Sequence, residues 1–296
     1  MKTICYYHSA DFDGKCSAAV VLRTIPDVAL IGYNYQDLAA PPQFEPGDKV
    51  VMVDCSFKRS LMLRLRSEAS EFVWIDHHKT AIEDSIEYGY DTINGIRNSS
   101  KAACELTWTY YEHGATPLIV ELLGRYDVFD HTDSRTLPFQ YGSRSEPALD
   151  SPQNHYYQFL FEDDSSCERL LIRGAAIWDY VLQQARVVCS ASGTTVRCGG
   201  KWWYAVNMPG GNSITARPGV TPDHDGVMVY SRSADGGWRF GLYDERGITD
   251  CGEVAKLFGG GGHLKAAGFQ RRTLQFEPMT SVDSRFKDWY QMVSAG

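Results

Sequence analysis

Short apolar runs at Ile4 to Tyr7, Val28 to Tyr33, Val50 to Val53 and Phe72 to Ile75 alternate with helix-like segments. Runs that stay apolar, without in-out alternation, belong to strands buried on both faces. Helices between such runs make the sheet parallel. Helical patterns fall over 14–24, with Cys16, Ala18, Ala19, Val21 and Leu22, and over 59–68. The first, third and fourth runs lead into metal-binding residue types: His8 with Asp11-x-Asp13-Gly14, then Asp54, then Asp76-His77-His78. In open parallel sheets, ligands gather beyond the carboxyl ends of the strands. These residues are therefore expected to converge on one sheet edge, with Gly14 letting the first turn approach a ligand closely.

Further along, 101–113 reads as a helix with Ala103, Leu106, Thr107 and Tyr110 on one stripe. Pro117 suits the first turn of another helix, ending near Gly124. Pro138, Pro147 and Pro152 break the pattern over 132–164, which reads as a long irregular connection with room for one short helix. Ser165-x-x-Glu168 reads as a capping box that opens a helix to about residue 186. Beyond it, strands are expected over 202–206, 227–230 and 238–243. Asp250-x-x-Glu253 starts a helix that leads into Gly259. The expected division is a catalytic domain over 1–150, a linker with a connecting helix over 151–190, and a smaller α/β domain over 191–296.

Composition narrows the function. The chain has 296 residues, 43% apolar and 22% charged, as in soluble globular proteins. No apolar stretch reaches the roughly 18 residues of a membrane span. The N-terminus reads as a first strand rather than a signal peptide. A net charge of −8 argues against a broad surface for duplex nucleic acid. It leaves a short anionic substrate open, because bound cations invert the local field. The eight cysteines include no CxxC pair and read as reduced, mostly buried thiols of a cytoplasmic protein.

Taken alone, an aspartate at a strand end is usually a helix cap or turn former. The set His8, Asp11, Asp13, Asp54, His77 and Asp127 asks for more. Its four carboxylates match the charge of two divalent cations, which together generate a hydroxide and offset charge at phosphorus. Without metal, the crowded carboxylates raise one another's pKa. Asp130 is the alternative to Asp127 as last ligand. Downstream, Gly259 to Gly262 exceed what a helix cap needs. Gly260, Gly261 and Gly262 could offer N–H groups to an anion, with His263 and Lys265 as further donors. Trp202, Trp203, Tyr204 and Trp238 could stack bases, but alternate strand positions favour the core.

These motifs resemble the DHH phosphoesterase superfamily with a C-terminal DHHA1 domain. The matches are Asp11-x-Asp13-Gly14, Asp54, Asp76-His77-His78, Asp127 and Gly260-Gly261-Gly262-His263-x-x-Ala266-Ala267-Gly268-Phe269. Within that superfamily the chain looks most like the nano-RNase and oligoribonuclease branch. The resemblance implies an α/β fold: an N-terminal parallel-sheet domain, a smaller C-terminal α/β domain, and an active site in the interdomain cleft. It implies a phosphodiesterase that cuts nano-RNA or linear dinucleotides to 5′-mononucleotides through a two-metal-activated hydroxide. Mn²⁺ is the expected ion, with Mg²⁺ or Co²⁺ as substitutes, and Asp54 as the bridge. His78 would contact the scissile phosphate and Asp76 would orient a histidine. His263, Lys265 and the glycine loop would hold a substrate phosphate. Tyr243 stands where the family often has an arginine, so Arg232 or Arg246 would take its place. The expected partner is short single-stranded RNA or a dinucleotide, with no duplex DNA and no membrane, and a homodimer is allowed. A 3′,5′-bisphosphonucleotide phosphatase, a cyclic-dinucleotide phosphodiesterase and an inactive nucleotide sensor stay open.

Overall fold

The apolar runs form β1 (Thr3–His8), β2 (Ala29–Tyr33), β3 (Lys49–Val53) and β4 (Glu71–Ile75). They pair in the order β2-β1-β3-β4, all parallel. The structure is a computed structural model that describes residues 2–35, 44–112 and 114–278. Successive side chains enter opposite cores. Ile4, Tyr6, Val50, Met52, Phe72 and Trp74 pack on one face of the sheet. Cys5, Val51, Val53, Val73 and Ile75 pack on the other with Val21 and Leu106. That two-sided burial is why the runs are continuously apolar. Each fully buried Ile or Val contributes about 1.5–3 kcal/mol.

The helices of this part are α1 (Phe12–Thr24), α2 (Arg59–Glu68), α3 (Lys79–Glu87), α4 (Ala103–Tyr111), α5 (Leu118–Asp127), α6 (Thr136–Arg144) and α7 (His155–Glu162). A further core of Cys16, Ala19, Val20, Trp108, Ile119, Leu123, Phe139 and Tyr157 joins α1, α4, α5, α6 and α7. The register places Tyr7 beside Val53 and Val53 beside Ile75. The next residues, His8, Asp54 and Asp76, therefore form one row across the carboxyl edge. Gly14 lies in the first turn of α1, where an added Cβ would sit 2.0 Å from the His8 carbonyl oxygen. No side chain fits there without moving β1 away from α1.

Two sequence expectations need correction. The stretch 132–164 holds two helices and a 3₁₀ turn at Pro147–Asp150, because its prolines stand at helix starts rather than interiors. Pro138 is third in α6 and Pro147 opens the 3₁₀ turn, positions where a missing N–H costs nothing. The cap before the long helix is Asp163, which accepts the Ser165 N–H at 2.9 Å. Ser165 itself lies inside a 3₁₀ turn, so the helix proper, α8, spans Glu168–Ser192. The helix expected over 101–113 is α4, and His113 lies outside the described residues.

The chain divides into two compact units, Met1–Trp178 and Asp179–Gly296, with α8 running through the boundary. The second unit contains β5 (Gly193–Cys198), β6 (Lys201–Asn207), α9 (Ser213–Ala216), β7 (Gly226–Arg232), β8 (Trp238–Tyr243), α10 (Cys251–Lys256), β9 (Gly261–Gly262), β10 (Ala266–Arg271) and β11 (Glu277–Pro278). Its sheet runs β11-β5-β6-β7-β8-β10-β9 and is mixed: β6 and β7 are parallel and the other pairs antiparallel. Val196, Trp203, Phe240, Leu242 and Phe269 pack under α10. The Asp250 side chain caps α10 on the Glu253 N–H at 3.0 Å, as the spacing predicts. Among the described residues, no helix is long and apolar enough to cross a membrane.

Candidate metal centre

The carboxyl edge of the parallel sheet gathers all six residues of the ligand set. Three groups of donors each lie within 4.8 Å: His8-Asp11-Asp54, Asp13-His77-Asp127 and Asp54-His77-His78. The first two share no residue, and Asp54, a member of the first, also reaches the histidine of the second. Its carboxylate is 3.5 Å from His8 Nδ1 and 3.3 Å from His77 Nε2. His8 Nδ1 is also 2.9 Å from Asp11, and His77 Nε2 is 3.2 Å from Asp127 and 3.7 Å from Asp13. Asp130 is turned elsewhere: Arg125 donates to it at 2.7 Å, and Thr132 donates through both N–H and O–H.

Each side chain is delivered by local structure. Asp11 is the N-cap of α1 and accepts the Gly14 N–H at 3.1 Å. Asp13 is buried and accepts N–H bonds from Ala103 at 2.9 Å and Cys104 at 2.7 Å, the first turn of α4. A helix N-terminus therefore holds Asp13 in place. Asp54 leaves β3 with φ at 56°, in the left-handed region that Asp tolerates better than most residues. That turn aims its carboxylate at the site.

The electrostatics of this set would suit cations. Asp54 is 1% exposed, and neither carboxylate oxygen has a hydrogen-bond partner. A buried carboxylate without hydrogen bonds is costly. Burial, then Asp13 and Asp11, pushes the Asp54 pKa well above the usual range. Burial and Asp13 do the same to Asp127. At His8, burial opposes the charge but Asp11 and Asp54 prevail, raising it to about 10. At His77, burial is likewise outweighed by Asp13 and Asp127. The donors mix carboxylate oxygen with imidazole nitrogen, one histidine to each separate triad, a set that suits divalent metal ions. The residues present therefore fit a pair of such cations.

A pH dependence follows. Raised pKa values mean that the folded protein holds more protons than the unfolded chain above their unfolded values. Metal-free protein should accordingly lose stability as pH rises from about 7 to about 9, through the window below the His8 value. Melting temperatures in chelator should fall across that range, and divalent cation should flatten the slope. A metal-free melting temperature that rises with pH would contradict this electrostatic account.

Asp76 has a different task. It is fully buried and accepts from the N–H groups of His77 at 2.7 Å and His78 at 3.1 Å, and from Trp74 Nε1 at 3.2 Å. It also bonds His78 Nδ1 at 2.7 Å. Burial opposes the Asp76 charge, but the His78 bond wins and keeps its pKa below the usual range. A carboxylate at Nδ1 fixes the proton there and leaves Nε2 as the working nitrogen of His78.

In the second unit, the glycine segment is partly absorbed into structure. Gly259 and Gly260 donate to Lys256 and Ala255 carbonyls, and His263 N–H donates to Ala266 at 2.7 Å. Gly261 and Gly262 form β9 against β10. The run thus offers fewer N–H groups than a bare nest. Lys265 follows His263 in this turn, and its carbonyl accepts the Asp244 N–H at 3.0 Å. Arg232 lies over the Trp238 ring at 5.2 Å. Arg246 bonds Asp244 at 2.8 Å and the His224 carbonyl at 2.9 Å, which makes it a loop staple. Trp203 and Tyr204 are buried in the sheet core. Tyr35 carries no sequence signal for the site. Its ring lies 5.5 Å from His8 and 6.1 Å from His78, and nothing in a lone tyrosine after a strand announces that.

A parallel sheet whose carboxyl edge gathers His and Asp side chains that could hold metal ions makes this an α/β protein with a candidate metal centre. Residues 2–124 match the DHH family, N-terminal domain. Among solved structures, the chain resembles the pGpG-specific phosphodiesterase PggH from Vibrio cholerae, at TM-score 0.51 and 14% identity. That match covers 100% of this chain and 99% of the other. An exopolyphosphatase-related protein from Bacteroides fragilis gives TM-score 0.48 and 12% identity, over 99% of this chain and 91% of that one. RecJ from Thermus thermophilus, in complex with Mg²⁺, gives 0.45 and 14%, over 99% and 49%. No curated protein matches the sequence. At these identities, the likeness to PggH shows the shared fold.

Proposed function

We propose that this chain is a metal-dependent phosphodiesterase that hydrolyses short linear oligonucleotides, such as nano-RNA and dinucleotides, to 5′-mononucleotides. One observation carries the reading: buried Asp54 belongs to one His-Asp triad and approaches the histidine of the other, with both oxygens lacking hydrogen-bond partners. His8, Asp11 and Asp54 would hold one divalent cation, and Asp13, His77 and Asp127, with Asp54 shared, the other. Such a pair, Mn²⁺ in this reading, supplies hydroxide from water at neutral pH and offsets negative charge at phosphorus. Burial opposes a charge on His78, but Asp76 outweighs it and raises its pKa; in the protonated form His78 donates from Nε2 to a phosphate oxygen and stabilises charge as it develops. The water oxygen bonds to phosphorus as the bond from phosphorus to the ribose oxygen breaks, and that oxygen leaves as a hydroxyl with the proton the water gave up. His263, Lys265 and Arg232 are the candidates for holding a substrate phosphate. PggH, similar in fold, acts on pGpG by its name, which accords with a short substrate.

Purified protein with Mn²⁺ is expected to convert a 5′-labelled dinucleotide to monomers, and excess chelator to stop it. A panel of di- to heptanucleotides, a 3′,5′-bisphosphonucleotide and a cyclic dinucleotide separates the substrate classes. Faster turnover of the bisphosphonucleotide or the cyclic dinucleotide would replace the oligonucleotide assignment. Binding without turnover of any substrate would make the protein a sensor.

A further inference from the structure

Tyr35 lies two residues beyond β2, the edge strand farthest from β4 in the order β2-β1-β3-β4. Three strand spacings separate β2 from β4, roughly 14 Å. Yet the Tyr35 ring is 6.1 Å from the ring of His78, which follows β4, and 5.5 Å from that of His8, which ends β1. Its hydroxyl accepts the Ser56 N–H at 3.3 Å, two residues past Asp54. The side chain therefore lies across the ends of β1 and β3. It touches or bonds the segments that follow β1, β3 and β4. An aromatic series backs it: Tyr33 packs on Tyr35 at 5.4 Å and on Phe57 at 4.9 Å, and Phe57 packs on Tyr6 at 5.1 Å. Tyr35 itself remains 38% exposed, so core filling does not account for its placement.

We propose that Tyr35 is a positioning residue of the metal centre. It holds the imidazoles of His8 and His78 against one ring and fixes, through Ser56, the turn that carries Asp54. The proposal rests on the phosphodiesterase reading above and extends it to the geometry of the site. Ring and hydroxyl have separable tasks. The ring sets the two histidines, and the hydroxyl sets the Asp54 turn. Base stacking on the same ring is the rival role.

The test compares wild type, Tyr35→Phe and Tyr35→Leu by calorimetric titration with Mn²⁺ alone and by kinetics on a dinucleotide. Loss of the ring should weaken Mn²⁺ binding by about tenfold and lower kcat, as removal of outer supports of a metal site does. Tyr35→Phe keeps the ring and should weaken binding by about threefold, the loss of one ordinary hydrogen bond. Melting temperatures in chelator should stay close to wild type for both variants. A merely structural tyrosine would shift those temperatures without this graded change in metal affinity, and that result overturns the proposal. So does Mn²⁺ affinity at the wild-type level with a raised KM alone, which assigns the ring to substrate. If Tyr35→Leu does not fold, Tyr35→Phe decides, and wild-type affinity in that variant overturns the hydroxyl's role. Wild-type protein that binds no Mn²⁺ removes the parent reading and this one together. Wild-type binding with unaltered variants removes this one alone.

Discussion

Replacing Asp54 with Asn should lower turnover of a 5′-labelled dinucleotide by roughly a thousand-fold, about 4 kcal/mol of barrier, with metal binding at both triads impaired. The size follows from position. Asp54 approaches His8 at 3.5 Å and His77 at 3.3 Å, so both triads lose a charged donor at once. Asn keeps the shape and tolerates the φ of 56°. Ala there would add a backbone cost of about 1–2 kcal/mol and blur the result. Stability should move with opposite sign in the two states. In chelator the Asn variant should melt higher than wild type, because burial and repulsion from Asp13 and Asp11 outweigh the nearby histidines and disfavour the Asp54 charge, which an amide does not carry. In Mn²⁺ it should melt lower, because binding no longer supports the fold. Wild-type turnover, or a lower melting temperature in chelator, would contradict the role assigned to Asp54.

Asp76→Ala should cost about 3 kcal/mol of stability and lower kcat by roughly 10- to 100-fold with little change in KM. The carboxylate accepts from two consecutive backbone N–H groups and from Trp74, and it bonds His78 at 2.7 Å. Trp74 Nε1 keeps a second partner, the Cys55 carbonyl at 3.0 Å, so the backbone groups and His78 bear most of the loss. Asp76→Asn should be milder in stability, since an amide oxygen still accepts. Chemical denaturation and steady-state kinetics on the same preparations measure both effects. Retained kcat in Asp76→Ala would show that the His78 orientation does not matter to the reaction.

Much of this centre is legible in the amino-acid sequence. His8, Asp54 and His77 follow apolar runs, and parallel sheets bring the ends of such runs together. The register of Tyr7, Val53 and Ile75 does so here. The choice of Asp127 over Asp130 is not decidable from sequence, because three residues along a chain give no direction. The Arg125 and Thr132 contacts that hold Asp130 exist only after folding. The prolines of 132–164 mislead for a local reason: a proline that ends one helix and one that begins another look alike in sequence. Gly259 to Gly262 signal an open backbone, but β10 supplies partners for part of it, a tertiary pairing with no local signature. The left-handed turn at Asp54 is equally silent, since most residues with positive φ are glycines.

The central claim is a pair of cations held on either side of Asp54. Anomalous diffraction from crystals grown with Mn²⁺ tests it most directly. The account predicts two peaks sharing the Asp54 carboxylate, one bound by His8 and Asp11, the other by Asp13, His77 and Asp127. A single peak that leaves either triad empty, or peaks away from Asp54, would contradict it.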